Sequence, residues 1–529
     1  MDSTAAERLV RLLSTHQETL YRYVFALLPN EQDAKDVVQE TCVALYRKLA
    51  EYDPERPFLP WAFRFAHLEV LKFLQNKKRT NIQRSKLRKS MTIRSKNSLC
   101  PSHEHGFSRR ALLQGAVAGG TLFGGFGRLF ANDNAALARG NDKRVILVFM
   151  SGGPSQFETW DPKPGQPTGG PHIAIPTSLP GVHFDEFMPN LSRLANRMIT
   201  VRSMTSKVGD HDQGRYVAQT AYNPSTLVAP APHWLSVCAH EKPAVADGVP
   251  SYVMLGKDNF GSLHVPGAGF LGARHQALHC PGDGAGPQDL PVPSPVAIED
   301  FERREELRRS FSDTFAEGRP RRLVESHDGA FAQIGGLLRA GDLFDISQEP
   351  EKDFQRYGDS NLGRDCILAR RLVERGVPFV RVQHQSGLAW DKHRRAFQSQ
   401  RWITSEFDTA VGALIDDLID RGLWSSTLLV LMGEFGRTPD IQGQGQPGRN
   451  HWTKCWSLSF GGCGLQEGLV VGATNQNGTD LQDRPVTIHD LFCTFYKTLD
   501  IDPHKDLEFE NRPIPLVENK LGQPIEEVF

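Results

Sequence analysis

The sequence predicts an α/β fold in which a sheet is sandwiched by helices and preceded by a small all-α domain. Three observations lead to this prediction. Unbroken apolar runs at 145–150 and 428–432 are typical of strands that helices cover on both faces. Segments with helical periodicity lie between the predicted strands, as crossover connections between parallel strands require. The first 80 residues, in contrast, are predicted to be helical throughout.

The length and composition of the chain limit the classes of protein to which it can belong. The chain has 529 residues, 39% of them hydrophobic, and a formal net charge of −1. It can therefore bury a large core and is long enough for more than one domain. Its eight cysteines show no C-x-x-C spacing, so neither a zinc knuckle nor a disulfide scaffold is indicated. Glycines dilute the apolar stretch 111–130, and no stable membrane span is predicted.

Three helices are predicted in the first 80 residues. Apolar residues keep helical spacing from Leu9 to Leu27, and Pro29 ends this helix. The second helix covers 33–48 and the third covers 61–78. Taken alone, this pattern indicates a generic helical bundle.

A basic stretch follows the third helix. Ten Lys and Arg residues and no acidic residue lie between Lys72 and Lys96. This run favours an anionic partner, with a solvated linker as the alternative.

Two motifs in the helical region are more specific. Residues 33–41 read Asp-Ala-Lys-Asp-Val-Val-Gln-Glu-Thr, and residues 57–66 read Pro-Phe-Leu-Pro-Trp-Ala-Phe-Arg-Phe-Ala. They resemble region two of bacterial sigma-70 factors of the extracytoplasmic-function type. The resemblance covers about residues 1–80 and implies two partners, the RNA polymerase core and promoter DNA. It is not accompanied by the second helix-turn-helix domain that such factors use on the upstream promoter element.

The resemblance assigns roles residue by residue. The implied polymerase-binding residues are Asp36, Gln39 and Glu40, and the implied DNA-binding residues are Trp61, Arg64, Lys72, Lys77, Lys78 and Arg79. Aromatic side chains can stack on exposed bases, and Lys and Arg neutralise phosphates. The alternative is that Trp61, Phe63 and Phe65 belong to the core of the helical domain.

Residues 81–140 are predicted to be a basic linker followed by an export signal. Ser-Arg-Arg-Ala-Leu-Leu-Gln at 108–114 is followed by an apolar Gly/Ala-rich stretch and by Ala-Leu-Ala at 136–138, which looks like a twin-arginine signal. Because such signals lie near an N-terminus, we expect periplasmic or extracytoplasmic localisation if translation starts near Met91. If the full chain is made, we expect it to be cytoplasmic. The alternative is a glycine-rich linker that contains two arginines.

Polar and charged residues follow four predicted strands of the body, at 145–150, 198–204, 377–382 and 428–432. These residues are Ser151, Asp161, His211, Arg215, Asp391, His393, Glu434, Arg437 and, after a Gly/Gln-rich loop, His451. Ligands of open α/β sheets bind outside the carboxyl ends of the strands, so the sequence predicts one site along that edge.

Each of these residues also has a purely structural interpretation. Glu434 and Arg437 could simply pair and order a loop, His451 could be a satisfied buried histidine, and Asp391 could cap a turn. We favour a shared site because four strands lead to the same kinds of residue.

The remaining elements of the body alternate with these strands. Helices are predicted at 190–197, 212–220, 360–374 and 403–423, and charged helices at 298–322 and 329–343. A Gly/Pro-rich insertion at about 256–295 is predicted to form surface loops.

Several separate motifs occur in order along the body. They are Phe-Met-Ser-Gly-Gly-Pro-Ser-Gln at 149–156, Thr-Trp-Asp-Pro-Lys-Pro at 159–164, Gly-Asp-His at 209–211, Trp-Asp-Lys-His at 390–393, Gly-Glu-Phe-Gly-Arg-Thr-Pro at 433–439 and Arg-Asn-His-Trp at 449–452. Together they resemble a large bacterial family with twin-arginine signals, catalogued as a domain of unknown function within the alkaline phosphatase and sulfatase superfamily. The resemblance covers about residues 108–510 and implies an alkaline phosphatase-like α/β domain at 141–529.

The superfamily's chemistry needs a divalent metal held by Asp and His. The resemblance implies Asp391, His393, Glu434 and His451 as metal ligands, His211, Arg215 and Arg437 as catalytic residues, and Ser151 and Asp161 as further pocket residues. The metal could be zinc, manganese, calcium or magnesium, since these ligand types do not choose among them. The implied ligand of the body is a phosphate or sulfate ester.

Two departures from the superfamily pattern bear on catalysis. The first strand ends in Ser151-Gly152, where typical members have Asp-Gly. The helix start that carries Ser, Thr or Cys in phosphatases and sulfatases reads Asp-His-Asp at 210–212. His211 is therefore a candidate nucleophile, base or ligand, and we expect one metal ion or none rather than two.

Three functions follow as hypotheses. The first is an exported, metal-dependent hydrolase of a phosphate or sulfate ester. The second is a catalytically silent extracytoplasmic binding protein. The third is a transcription regulator acting through the sigma factor-like N-terminal module.

Overall fold

The computed structural model describes scattered positions between 12 and 73 and most of the chain from residue 143 onward. The description from 143 onward leaves out 225, 228–229, 245–248, 257–266, 288–302, 304–307, 309–340, 386–387, 444 and 510–511. The chain divides into two compact units, Met1–Thr121 and Leu122–Phe529.

Several sequence predictions lie outside the described residues. They concern Asp36, Gln39, Glu40, Lys77, Lys78 and Arg79, the twin-arginine segment at 108–138, and nearly all of the helices predicted at 298–322 and 329–343.

The described part of the first unit is helical around a small core, as expected for an all-α domain. Its buried core residues are Leu20, Val24, Val37, Val38, Leu45, Phe58, Ala62, Ala66 and Val70. Trp61, Phe63 and Phe65 are partly buried against this core. Arg64 is exposed, and the amine of Lys72 lies 2.6 Å from Glu69 Oε1. The predicted DNA-binding aromatic residue therefore also packs within the domain.

The second unit contains strands throughout its length. They are β1 (Arg144–Phe149), β2 (Ala174–Pro176), β3 (His183–Asp185), β4 (Met198–Thr205), β5 (Tyr252–Leu255), β6 (Leu278–Cys280), β7 (Phe379–Gln383), β8 (Thr427–Met432), β9 (Gly436–Arg437), β10 (His451–Trp452), β11 (Trp456–Gly462), β12 (Leu469–Val471), β13 (Ala473–Thr474), β14 (Leu481–Asp483), β15 (Val486–Thr487), β16 (Asp506–Phe509) and β17 (Arg512–Pro515).

Helices separate many of these strands. They are α1 (Pro189–Arg193), α2 (His211–Thr220), α3 (Trp234–Glu241), α4 (Glu351–Tyr357), α5 (Asn361–Glu374), α6 (Ala396–Asp420) and α7 (Ile488–Thr498). None of the helices that the structure describes combines the length and the apolar character needed to cross a bilayer.

Nine strands form one sheet, with the order β12-β4-β11-β8-β1-β7-β5-β6 and with β15 also paired to β4. All pairs are parallel except those of β11, which is antiparallel to both β4 and β8. The sheet is thus mixed, whereas the sequence predicts a parallel one. The carboxyl ends of β1, β4, β7 and β8 nevertheless meet at one edge, as predicted.

Helices cover both faces of this sheet, which confirms the predicted fold class. Along β1, Val145, Leu147 and Phe149 point into one core, which includes residues of α3 and α7. Ile146 and Val148 point into the opposite core, which includes residues of α5 and α6. This alternation explains why β1 is apolar at every position.

The structure differs from the sequence prediction in two further places. Helix α6 begins at Ala396, earlier than the predicted start at 403. Strand β6 lies inside the insertion predicted as loops, where it pairs with β5. Three strand residues among glycines and prolines are too few to show a recognisable alternation.

Candidate metal centre

The shared edge of the sheet brings together four residues from distant parts of the sequence. His211 is the first residue of α2, Asp391 and His393 lie between β7 and α6, and His451 belongs to β10. One ligand atom from each lies within 4.8 Å of the others. We call these four residues the metal cluster.

His211 is held between two carboxylates. Its Nδ1 lies 2.8 Å from Glu434 Oε1, which also accepts a hydrogen bond from the backbone N–H of Gly152 at 2.8 Å. Because a carboxylate only accepts, Nδ1 carries the proton of the neutral ring. Its Nε2 is buried 3.4 Å from Asp391 Oδ2 and has no hydrogen-bond partner among the described residues.

The other two histidines have the same orientation. His451 Nδ1 lies 2.6 Å from the carbonyl oxygen of Gly209, so it must donate. His393 Nδ1 lies 2.8 Å from Asn450 Oδ1, and the Asn450 amide is oriented by donating to Gln442 Oε1 at 2.6 Å. In both neutral rings the free lone pair is therefore on Nε2.

Three imidazole lone pairs and one carboxylate thus face a common point. The Nε2 atoms of His393 and His451 lie 3.1 Å apart, and His393 Nε2 lies 2.8 Å from Asp391 Oδ1. Between unprotonated acceptors such contacts are repulsive, and a shared proton or a bound metal ion relieves the repulsion. In a tetrahedral zinc site with bonds of about 2.1 Å, ligand atoms lie about 3.4 Å apart. The residues therefore fit a divalent transition metal.

The charge of the cluster shifts the pKa values of its members. Burial lowers the pKa of His211, but the carboxylates of Asp391 and Glu434 outweigh burial and raise this pKa to about 9. Burial raises the pKa of Asp391, but His211, His451 and Arg437 outweigh it and hold this pKa well below its usual range. The pocket is thus electrostatically prepared for positive charge.

Glu434 lies behind the metal cluster. The sequence predicts it as a direct ligand, but its Oε1 is occupied by His211 and by the backbone of Gly152. Its side chain is fully buried. Oε1 of Glu434 therefore orients the His211 ring, whereas Oε2 is buried without a hydrogen-bond partner among the described residues, so the predicted ligand role of Glu434 stays a prediction.

Arg437 also differs from its predicted catalytic role. Its guanidinium donates to Asp391 Oδ1 at 2.6 Å and to the carbonyl oxygens of Gly152 and Gly153. The side chain is only 2% exposed. Since its donors face the protein interior, Arg437 positions Asp391 and the strand end rather than a substrate.

Three more predicted residues lie around the cluster without joining it. Arg215 is buried one turn after His211, and its guanidinium lies 2.8 Å from Asp212 Oδ1. Ser151 is buried, and its carbonyl accepts from the N–H of Trp390. Asp161 is bound by Lys163 at 2.9 Å and by the Thr474 hydroxyl. Their predicted roles stay predictions.

Gly152 allows the segment of Asp391 to approach β1. Its φ is +112°, and a Cβ there would lie 2.5 Å from the backbone nitrogen of Asp391. Only glycine adopts this conformation readily and leaves the space. This close approach is what places Asp391 above the end of β1.

A buried ion pair fixes the loop of His451, and the sequence analysis did not find it. Arg449 and Glu158 are each 1% exposed, and their nearest atoms lie 2.7 Å apart. The remaining Arg449 donors bind backbone carbonyls, including Thr438 and Pro439, and its guanidinium stacks on Phe157. The partners are 291 positions apart, so no local pattern could have revealed them.

Two family models match this chain over separate ranges. The model of a family described as "Protein of unknown function (DUF1501)" matches residues 142–529. The model of Sigma-70 region 2 matches residues 12–80, which confirms the resemblance of the N-terminal motifs. Among curated proteins, none matches this chain.

The solved structures that match this chain include a sulfatase, a phosphonate monoester hydrolase and a lipoteichoic acid synthase. PsFucS1 sulfatase from Pseudoalteromonas sp. has 13% identity, coverage of 70% of each chain and a TM-score of 0.34. The phosphonate monoester hydrolase of Agrobacterium radiobacter has 12% identity, coverage of 73% of this chain and 77% of its own, and a TM-score of 0.35. The lipoteichoic acid synthase LtaP from Listeria monocytogenes has 10% identity, coverage of 68% and 72%, and a TM-score of 0.32. At these values the likeness carries no information about chemistry.

Proposed function

This chain belongs to the DUF1501 family through residues 142–529, and we propose that its body is a hydrolase of phosphate or sulfate esters that uses one divalent metal ion. The observation that supports this proposal is the metal cluster, in which three Nε2 lone pairs and the Asp391 carboxylate face one point. A ligand set rich in imidazole favours zinc over magnesium or calcium, which prefer oxygen ligands.

Each residue has a defined part in this proposal. His211, His393 and His451 hold the ion with neutral rings, and Asp391 supplies one negative charge. Glu434 keeps His211 in the required tautomer, and Arg437 keeps the Asp391 carboxylate turned toward the cluster. When bound, a divalent ion polarises an ester oxygen and lowers the pKa of a water molecule.

The reaction class we propose is direct attack by water. Helix α2 begins with His211, whose two ring nitrogens face Glu434 and Asp391. His211 is therefore committed to holding the ion and is not available as a nucleophile. Water oxygen would form the new bond to phosphorus or sulfur while the bond to the leaving oxygen breaks, and the proton lost by water would go to that oxygen to give the alcohol, without a covalent enzyme intermediate.

Metal analysis of the purified full chain tests this proposal. We expect close to one zinc or manganese ion per chain by mass spectrometry, and hydrolysis of 4-nitrophenyl phosphate or sulfate that a chelator abolishes and the metal restores. Metal at full occupancy without hydrolysis of any ester tested would instead support the catalytically silent binding protein. A chain without bound metal after incubation with zinc would overturn the proposal.

For the N-terminal module we propose binding to the RNA polymerase core and to promoter DNA. The match of residues 12–80 to sigma-70 region 2 supports this function. For chains that start near Met91 we propose export through the twin-arginine route. The two proposals concern different translation products. Binding to RNA polymerase requires the full chain in the cytoplasm, whereas a chain that starts near Met91 lacks the N-terminal module.

One paired experiment separates these products. We expect the full chain to capture core RNA polymerase, and the triple substitution D36A/Q39A/E40A to lose most of this capture, since the three side chains are the implied contacts. We also expect N-terminal sequencing of extracytoplasmic material to give a start after residue 138. Exported protein that begins near Met1 would refute the proposal that export requires a start near Met91. Equal capture of RNA polymerase by the triple variant would refute the implied contacts of Asp36, Gln39 and Glu40.

A further inference from the structure

A cavity of about 540 Å³ lies at the edge of the sheet that carries the metal cluster. The end of β4, helix α2, the start of α7 and the segment 518–522 all contribute to its lining. Strand β15 pairs in parallel with β4 and leads directly into α7, so the cavity lies at the carboxyl ends of these strands. Ligand sites of open α/β sheets occur at such ends.

The wall of this cavity is continuous with the metal cluster. Lys207 lines the cavity and lies two residues before Gly209, whose carbonyl binds His451 Nδ1 at 2.6 Å. Two residues span at most about 7 Å of backbone. Ser206, another lining residue, donates from its backbone N–H to the carbonyl of Thr453 at 2.9 Å. The segment 206–209 therefore links the wall of the cavity to the loop that carries His451.

The carboxylates in the cavity wall are already used by the protein. Asp490 accepts from the N–H and the hydroxyl of Thr487 in a capping box at the start of α7. Glu518 accepts from Asn223 and from the Thr226 hydroxyl. Both side chains hold wall segments together and are poorly suited to binding a metal or a cationic ligand.

Most of the cavity surface is apolar, although polar residues such as His489 and Asn519 also line it, and Lys207 lies at its edge. Val217, Ile488 and Leu521 line the cavity, and Leu521 is 47% exposed. Lys207 is exposed, and no carboxylate of the described residues lies within 4 Å of its amine. An apolar cavity beside a free lysine and a cation site fits a molecule with an apolar body and an anionic end.

We propose that this cavity binds the apolar organic group, an aryl or short alkyl group, of an anionic ester whose charged end reaches Lys207 and the metal cluster. This inference rests on the proposed hydrolase function and adds the class of leaving group. A volume of about 540 Å³ is within the usual range for small-molecule sites and exceeds the needs of a bare phosphate or sulfate ion.

Calorimetric binding of 4-nitrobenzylphosphonate, which has no ester bond to hydrolyse, and of 4-nitrophenol, kept uncharged by working below its own pKa, to the full, metal-loaded chain tests the proposal. We expect Leu521→Trp, which fills the cavity, to weaken the binding of both probes by about tenfold or more. We expect Lys207→Met to weaken the binding of the anionic phosphonate only, by about fivefold, as for a partly exposed ion pair.

Two variants elsewhere on the surface serve as matched controls. Ile173→Trp adds the same bulk at a position that is 63% exposed, and Lys505→Met removes a lysine that pairs with Glu241 away from the cavity lining. Both should bind the two probes as the unchanged chain does. Unchanged binding in Leu521→Trp, or no binding of 4-nitrophenol to the unchanged chain, would overturn the inference.

The two proposals fail in distinguishable ways. Asp391→Ala disrupts the metal cluster and should leave the binding of 4-nitrophenol unaltered, because the phenol needs only the cavity. A chain that binds 4-nitrophenol through Leu521 but holds no metal would keep the cavity assignment and refute the hydrolase. If the chain binds metal and hydrolyses esters but Leu521→Trp has no effect on probe binding, the hydrolase proposal stands and the cavity assignment is refuted.

Discussion

Asp391→Ala should lower zinc affinity by more than about a hundredfold and reduce ester hydrolysis to background. The substitution removes the carboxylate among the four ligands and leaves the buried guanidinium of Arg437 without its anionic partner. Loss of a residue behind a metal site typically costs about 10- to 100-fold in affinity, and loss of a ligand should cost more. Zinc titration with a competing chelator measures the change directly.

Two further variants show whether the effect is specific. Glu434→Gln should have an intermediate effect, about 10- to 100-fold, because it leaves all four ligands in place and weakens the hold on His211. Asp416→Ala removes a carboxylate that pairs with Arg193 at the surface and should leave zinc affinity unchanged. Equal affinities in Asp391→Ala and Asp416→Ala would refute the assignment of the metal cluster.

Arg449→Met should destabilise the body by about 3–5 kcal/mol, because it leaves the Glu158 carboxylate buried and unpaired. It also removes the hydrogen bonds that hold the carbonyls of Thr438 and Pro439 next to the His451 loop. We therefore expect weaker metal binding together with the lower stability. Urea denaturation followed by tryptophan fluorescence measures the shift in midpoint.

The double variant E158Q/R449M provides the internal comparison. It should recover part of the lost stability, since no uncompensated charge remains in the interior. Arg193→Met breaks an ion pair whose arginine is 55% exposed and should cost about 1 kcal/mol or less. If Arg449→Met and Arg193→Met cost the same, the buried pair does not stabilise the loop as described.

Strands β1 and β8 could be predicted closely from sequence because each is a compact apolar run, and β4 and β7 are also predicted although Arg202 and Arg381 interrupt their apolar residues. Strand β8 covers Thr427–Met432 and β1 covers Arg144–Phe149, each within one residue of the prediction at either end. Strand β11 contains alternating serines and two terminal glycines, and its antiparallel pairing depends on partners far away in sequence. Tertiary context of this kind is not encoded in a local window.

The residues of the candidate site could be predicted only in part from the sequence. The order of strand ends is enough to place Asp391, His393 and His451 at one edge, and the structure brings them together with His211. Whether a residue lies in the cluster or behind it depends on differences of a few ångströms. Glu434 and Arg437 therefore look alike in the sequence, and only the structure shows that Arg437 and Oε1 of Glu434 bind neighbouring protein groups.

The antiparallel direction of β11 affects how the residues of this site could change among relatives. Because β8 and β11 are antiparallel neighbours, the link that carries His451 leaves and re-enters the sheet at the same edge. It never has to pass over a face of the sheet, unlike the connections from β4 to β5 and from β7 to β8, which include His211 and Asp391. Relatives could therefore replace this single link, and with it one proposed ligand, without a change in the order of the strands. The preference for a particular metal ion could then change while the sheet stays the same.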